Sequence, residues 1–564
     1  MADQDNLPLV ENEQYTSFPY RTVIILLLII SLAAFLRLVG LCKLLPPGLH
    51  RDEAANAWSA YCLLKTGKDF AGVSWPVFYA RNTGGNSSTL YIYLLMPFQA
   101  IGGLNAYTTR LPGALGGIFT VWLIYFVGKR LFNTATGLVA AALLAIDPWH
   151  LQHCRWGHEA SLTPLLSLAP LALLLFADMP LGDNKIASPR PLAAAIAGAL
   201  TGVACYGYFA VRVFVPVFIF LVVLFTLPRW RQILKSRQGV FAVLVFIIAF
   251  SAFFGPLIWQ HIFHPEGISR HFLYLPNRLG SASFAASIKN IVIRYIRHFG
   301  FYFLFIEGDT HETLSPPGIG QFHWYMLPLM LAGLISLILK FKSSSSARVI
   351  LAFVLAYPAG DCLAWGPQFS IIRSAPGLCG LILLASVGAV DVFFWLRNKN
   401  RRFAVLAAAT FSLAVVGING PYLYNFYSKF SRQPLVYNYF SVDLIEACDW
   451  LKPRFDDFDA VFCTAKSLNM PHIITLVALG YDPNRWFSEP REFTTQGEWD
   501  YYTRYGKMHF MYENIFKKPA ERYRPDRVLF ILRPEEVSLE NPSLRVIHKI
   551  LRPDGQPVLL ICRP

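Results

Sequence analysis

FAVLVFIIAFSAFFGPLIW (241–259) is nineteen consecutive residues without a charge. A bilayer's hydrocarbon core of about 30 Å calls for about 20 largely apolar residues per spanning helix. One such run fits a buried soluble helix as well, but this one has companions. VIILLLIISLAAFL (23–36) and MLPLMLAGLISLIL (326–339) approach the same length, and shorter apolar stretches fill the chain between them. Spans are expected near 22–42, 107–128, 135–150, 161–178, 191–209, 213–228, 239–260, 324–341, 348–364, 374–396 and 403–420, about eleven in all. The composition agrees. Of 564 residues 54% are hydrophobic and 15% charged, against roughly 25% charged in a soluble domain.

The net charge of +15 does not mark a nucleic-acid partner, because the basic residues are dispersed. They fall in short clusters between apolar runs: Lys129 and Arg130; Lys185 and Arg190; Arg229, Arg231, Lys235 and Arg237; Lys340, Lys342 and Arg348; Arg397, Lys399, Arg401 and Arg402. Every second joint is basic, as cytoplasmic loops are. The N-terminus is then cytoplasmic, and segments 45–105, 151–160, 261–323 and everything after 421 lie on the outer side. Residues 1–20 read as a disordered cytoplasmic lead, 21–425 as the membrane domain, and 426–564 as a small α/β domain outside the membrane. The first run is too long for a cleavable signal and reads as a signal anchor. An inner, or plasma, membrane is the expected location.

Within the first outer segment, interfacial helices are expected, and SASFAASIKNIVIRYIRHFGFYFLF (281–305) reads as an amphipathic or re-entrant helix. In the tail, SVDLIEACDWLKP (441–453) reads as a helix with Ser441 at its N-cap. DAVFCTA (459–465) and RVLFILR (527–533) read as strands, and 545–563 as a hairpin closed near Asp554-Gly555. No two of the nine cysteines have CxxC spacing; Cys448 and Cys463 are the pair that an oxidising compartment could join.

Ionisable residues concentrate in four outer clusters. GLHRDEAANAW (48–58) sets Asp52 and Glu53 beside His50 and Arg51 just beyond the first span. Such acids suit a helix N-terminus by charge alone, and equally suit a carboxylate that deprotonates an acceptor hydroxyl. DPWHLQHCRWGHEASLTP (147–164) carries Arg155, His158 and Glu159 in a link that needs no such density merely to turn. It lacks HxxxH or HExxH spacing, so no metal is called, and no cofactor. EGDTHETLSPPGIGQFHW (307–324) holds His311, and GDCLAWGPQFSIIRSAPG (360–377) holds Arg373. Arg37 within the first run and Arg373 at a helix entry either snorkel or serve a site. Acids for an acceptor and arginines for a phosphate on one side suit a lipid-phosphate donor.

PPGLHRDEAANAWSAYCLLKTGKDFAGVSWPVFY (46–79) resembles the start of the bacterial branch of GT-C glycosyltransferases. That branch is related to the dolichyl-phosphate-mannose protein mannosyltransferases (family 39) and the lipid A aminoarabinose transferases. The resemblance continues through 90–132, AIDPWHLQHCRWGHEA (145–160), EGDTHETLSPPG (307–318) and 365–389. It implies a polytopic helical GT-C fold and inverting transfer of a sugar from a polyprenyl-phosphate donor to a hydroxyl of a protein, lipid or glycan. It implies Asp52, Glu53 and Glu159 as catalytic acids and Arg373 as a phosphate cation, with Arg155 and Arg81 as further candidates. Contacts to acceptor or sugar fall to His158, Trp58 and His311. In many relatives a lysine and two prolines precede the LYIYL motif; here GGNSSTLYIYL (84–94) has no lysine. Either Arg81 or another cation replaces it, or donor handling differs, or activity is lost. A transporter or flippase of lipid-linked sugars is the alternative, but such proteins place ionisable groups at the midplane of repeated halves, and no repeat is visible.

Overall fold

The computed structural model describes residues 19–83, 85–183, 188–264, 284–309, 313, 316, 318–363, 370–496, 499–512, 523–540 and 544–564. The expectation for the N-terminal lead falls almost wholly outside them, and so does His311.

All eleven apolar runs are helical: Pro19–Leu38, Ala106–Leu131, Thr134–Ile146, Thr163–Phe176, Pro191–Ala204, Phe209–Phe225, Arg237–Phe263, Met326–Leu339, Ser345–Ala356, Leu378–Lys399 and Arg401–Ser428. Among the described residues six stretches are long and apolar enough to cross a bilayer, or eight if two bent pairs count as single spans. Fourteen-residue helices such as Pro191–Ala204 and Met326–Leu339 reach only about 21 Å at 1.5 Å per residue. One bend, of 62°, separates Thr134–Ile146 from Pro148–Cys154. Pro148 cannot donate an intrahelical bond, and Asp147 restarts the helix by accepting the His150 N–H at 2.8 Å. Helices approach closely where glycines meet. A Cβ on Gly128 would lie 2.9 Å from the Gly137 Cα, the small-residue contact that lets membrane helices pack without a hydrophobic driving force.

Helix Arg51–Thr66, in the segment where interfacial helices are expected, is packed on two sides. Ala54, Ala55, Trp58 and Cys62 pack in one core with Ile473, Trp486 and Tyr502 of the C-terminal unit, while Glu53 is joined to Arg110 of the helical bundle. The helix is clamped between the two. Phe284–Arg297 is amphipathic as expected, with Ile288, Val292 and Ile296 exposed along one face.

The C-terminal unit is a seven-stranded sheet. Its strands are β3 Ala460–Thr464, β4 Arg491–Gln496, β5 Trp499–Tyr505, β6 Met508–Met511, β7 Val528–Leu532, β8 Arg545–Leu551 and β9 Pro557–Arg563. A separate small hairpin, β1 Ala80–Asn82 with β2 Gly85–Ser87, belongs to the segment after the first helices. The sheet order is β4-β5-β6-β3-β7-β9-β8, with β3 parallel to β6 and β7 and the remaining pairs antiparallel. The expected β3, β7 and β8–β9 hairpin are present, the last turning through Gly555 at φ +82°. Helix Val442–Leu451 is present too, but Ser441 makes no side-chain cap bond. Cys448 and Cys463 are both buried free thiols.

Candidate active site

The two adjacent acids of Arg51–Thr66 face different surroundings, because successive helical residues point about 100° apart. Glu53 is fully buried. Its Oε1 accepts from Arg110 Nε at 2.7 Å and from the Gly157 N–H at 2.6 Å. Its Oε2 accepts from Arg110 Nη2 at 2.7 Å and from the His50 N–H at 2.9 Å. Arg110 also donates to the carbonyls of Leu41, Pro46 and Gly48. Glu53 thus ties three chain segments together, and its lone pairs are occupied. Gly157 is required there, since a Cβ would meet Thr109 at 2.8 Å and Glu53 Oε1 at 3.0 Å.

Asp52 keeps 35% of its side chain exposed. His50 Nδ1 stands 3.5 Å away, Arg51 Nε 3.5 Å and His158 Nε2 4.0 Å. Burial raises its carboxyl, but His50, Arg51 and His158 outweigh this and hold it below the usual carboxylate range. Burial itself pushes His50 down to about 4, so His50 is neutral at pH 7 and Arg51 is the permanent charge beside Asp52. Arg51 is fastened from the C-terminal unit, donating to Asn469 Oδ1 at 3.0 Å and lying 4.3 Å over the Trp499 ring.

His158 stacks on Trp156 at 5.0 Å and meets Tyr208 edge-on at 5.9 Å. Its Nδ1 accepts the Ala160 N–H at 3.0 Å, which leaves Nε2 as the protonated nitrogen, between Asp52 and Glu159 Oε2 at 3.5 Å. Glu159 is buried and accepts from Asn56 Nδ2, one turn below Asp52, at 2.8 Å.

Arg373 approaches from the short helix Ile371–Ser374. Its Nε donates to Asp361 Oδ1 at 2.5 Å, while the side chain keeps 28% exposure. Asp361 is fully buried and also receives Arg294 Nη2 at 2.9 Å and His298 Nε2 at 3.0 Å. Asp309 secures the same turn by accepting the Ile371 N–H at 3.0 Å. Tyr208 joins the two halves, since its hydroxyl lies within the electrostatic reach of Arg373, Glu159, Asp361 and Asp52. The arrangement sets a half-buried carboxylate, Asp52, and a partly exposed cation, Arg373, each supported by buried groups, within electrostatic reach of one tyrosine. It lies at the end of the bundle opposite the basic joints, because Arg110 and Lys129 mark opposite ends of helix Ala106–Leu131, and Arg373 and Arg397 opposite ends of the apolar stretch Ile371–Lys399.

The structure does not bring every sequence candidate here. Arg155 is buried, and all five of its N–H donors end on the carbonyls of Leu36, Arg37, Val39 and, twice, Leu45. It caps the first helix and has no donor left for a phosphate. Arg37 similarly reaches Leu144 O and Ala145 O, closing helix Thr134–Ile146. Trp58 is fully buried beside Trp486, 6.3 Å between centroids, and presents no face to a sugar. Arg81 is an exposed residue of β1, whose hairpin is fastened to β5 by the Asp500 N–H on Thr83 O. Asp361, Arg294, His298, Tyr208 and Arg212 went unread in the sequence. Asp361 and Arg212 each carried a signal, a charge within an apolar run.

The sequence profile of the dolichyl-phosphate-mannose-protein mannosyltransferase family matches residues 87–259, under a third of the chain. No curated protein sequence matches. Among solved structures, ArnT from Cupriavidus metallidurans bound to undecaprenyl phosphate is similar, with 12% identity, a TM-score of 0.52, and 97% of this chain and 98% of that chain covered. The apo form of ArnT gives 13% identity, a TM-score of 0.52, and coverage of 96% and 98%. Archaeal oligosaccharyltransferase AglB from Archaeoglobus fulgidus, in complex with an inhibitory peptide and a dolichol-phosphate, gives 14% identity, a TM-score of 0.49, and coverage of 82% and 64%. The chain shares the GT-C fold of ArnT along nearly its whole length, and its residues 87–259 match the dolichyl-phosphate-mannose-protein mannosyltransferase family.

Proposed function

We propose that the chain transfers a sugar, with inversion, from a polyprenyl-phosphate donor to an acceptor hydroxyl at the outer face of a plasma membrane. Asp52 takes the hydroxyl proton as the acceptor oxygen attacks the anomeric carbon. The bond from that carbon to the phosphate oxygen breaks, and the electron pair leaves on the polyprenyl phosphate. Arg373 stabilises that anion through its outward amino groups. Glu159 and His158 flank the acceptor, and Glu53, Arg110 and Arg155 hold the scaffold. The observation that carries the reading is that His158 stands 4.0 Å from Asp52 and packs edge-on against Tyr208 at 5.9 Å, and Tyr208 in turn is within electrostatic reach of Arg373. The basic joints at the opposite end favour the cytoplasm there, in keeping with a site and C-terminal unit outside, eleven spans and the N-terminus inside. The acceptor is a protein, lipid or glycan of the envelope.

The test is mass spectrometry of envelope glycoproteins, lipids and glycans from cells with the gene intact, deleted, or replaced by the Asp52→Asn form. A sugar present only with the wild-type chain is expected; identical spectra in all three contradict the reading.

The charge around Asp52 sets a pH dependence. A base must be ionised, and Asp52 sits below the usual carboxylate range, so the acid limb of transfer is expected below that range. Arg51→Gln removes the permanent cation, raises the carboxyl and moves the acid limb to higher pH. A pH–rate profile that does not move with this substitution contradicts the assignment of Asp52 as base.

A further inference from the structure

Arg212 lies in the first turn of Phe209–Phe225 and is 9% exposed. Its Nε donates to Cys205 O at 2.9 Å, and its Nη1 stands 3.3 Å from His261 Nε2. The other ring nitrogen of His261 bonds Leu257 O at 2.7 Å, a bond only an N–H can make, so Nε2 is the accepting end of a neutral imidazole. Arg212 Nη2 has no hydrogen-bond partner, and among the described residues no carboxylate lies within ion-pair distance. The Phe209 ring covers the guanidinium at 4.3 Å. A buried arginine without a counter-ion at the end of an apolar helix is costly, and membrane proteins keep such a residue where it meets a ligand.

Its position says which ligand. Tyr208 is four residues earlier, the extended residue that precedes this helix, and lies within electrostatic reach of Asp52 and Arg373. Glu159 lies within electrostatic reach of Arg212 as well. On the other side, His261 ends a helix whose Ile258, Trp259, Ile262 and Phe263 are 45%, 53%, 64% and 62% exposed. An apolar surface of that kind on a spanning helix faces lipid. The orphaned donors of Arg212 thus stand between the reaction site and the lipid-facing side, where an anion tethered to an isoprenoid chain would arrive.

The geometry points to Arg212 as a second cation for the phosphate of the polyprenyl-phosphate donor, deeper than Arg373 and on the path from the bilayer. This rests on the donor reading above. Its test uses the purified full-length chain, with undecaprenyl phosphate as the probe and undecaprenol as the phosphate-free control, affinities being read by native mass spectrometry. The wild type is expected to prefer the phosphate form. Arg212→Gln is expected to lose about tenfold to a hundredfold of that affinity, as for a lost charged hydrogen bond, with undecaprenol binding unchanged. Arg212→Lys, which keeps charge but lacks the second amino group, is expected to lose several-fold, and decides the matter if the Gln form does not fold. Unchanged undecaprenyl phosphate affinity, or an equal loss for undecaprenol, overturns the role of Arg212. A wild type that does not distinguish the two probes overturns the donor reading instead.

Discussion

Asp52→Asn is expected to lower sugar transfer by about 10²–10⁴-fold, the usual contribution of a positioned general base, in a protein that inserts and melts as the wild type does. The expectation separates function from scaffold because Asp52 is the less constrained member of its pair. Its carboxylate is partly exposed, and its basic neighbours His50, Arg51 and His158 stand at 3.5–4.0 Å. The amide keeps size and polarity but cannot take a proton from a hydroxyl. Binding of undecaprenyl phosphate should survive, since Arg373 and its support through Asp361 are untouched. Comparable transfer rates for Asp52→Asn and wild type, with equal protein in the membrane, would remove Asp52 from the chemistry.

Glu53→Gln is expected to act on the opposite quantity, costing about 3–5 kcal/mol of stability, the range for breaking a buried ion pair. The loss comes from Arg110, which has no exposed surface and would be left charged in an apolar surrounding. Arg110→Gln should cost as much for the mirror-image reason. Combining Glu53→Gln with Arg110→Gln should cost clearly less than the sum, because neither charge is then stranded. Thermal unfolding in detergent of the two single variants and the double variant checks this. Additive losses contradict the pairing.

This division between neighbours explains what the sequence could and could not convey. That Asp52 and Glu53 sit together past the first apolar run is visible in the letters; that one faces Arg110 and the other a partly open site is a matter of helical angle against a partner 57 residues away. Arginines are harder still. Arg155, Arg373 and Arg212 look equivalent beside apolar runs, yet the first is spent on backbone carbonyls, the second is steadied by Asp361 and the third keeps a donor unpaired. Trp58 read as a sugar or acceptor contact because its partner, Trp486, lies in a unit 428 positions later. The apolar runs announced the helices well, since length and hydrophobicity are local properties. The strands β4 to β6 were missed because β4 is nearly all exposed and β6 is only four residues long. Pairing across the chain makes them strands.

The central claim is that an exterior carboxylate and cation act together on a sugar carried by a polyprenyl phosphate. The most direct measurement reconstitutes the purified chain in liposomes with a panel of undecaprenyl-phosphate monosaccharides and an envelope extract as acceptor, and follows free undecaprenyl phosphate by chromatography. For at least one sugar the wild type should release the carrier while Asp52→Asn stays at background. Release at equal rates by both, or by neither across the panel, would contradict the account.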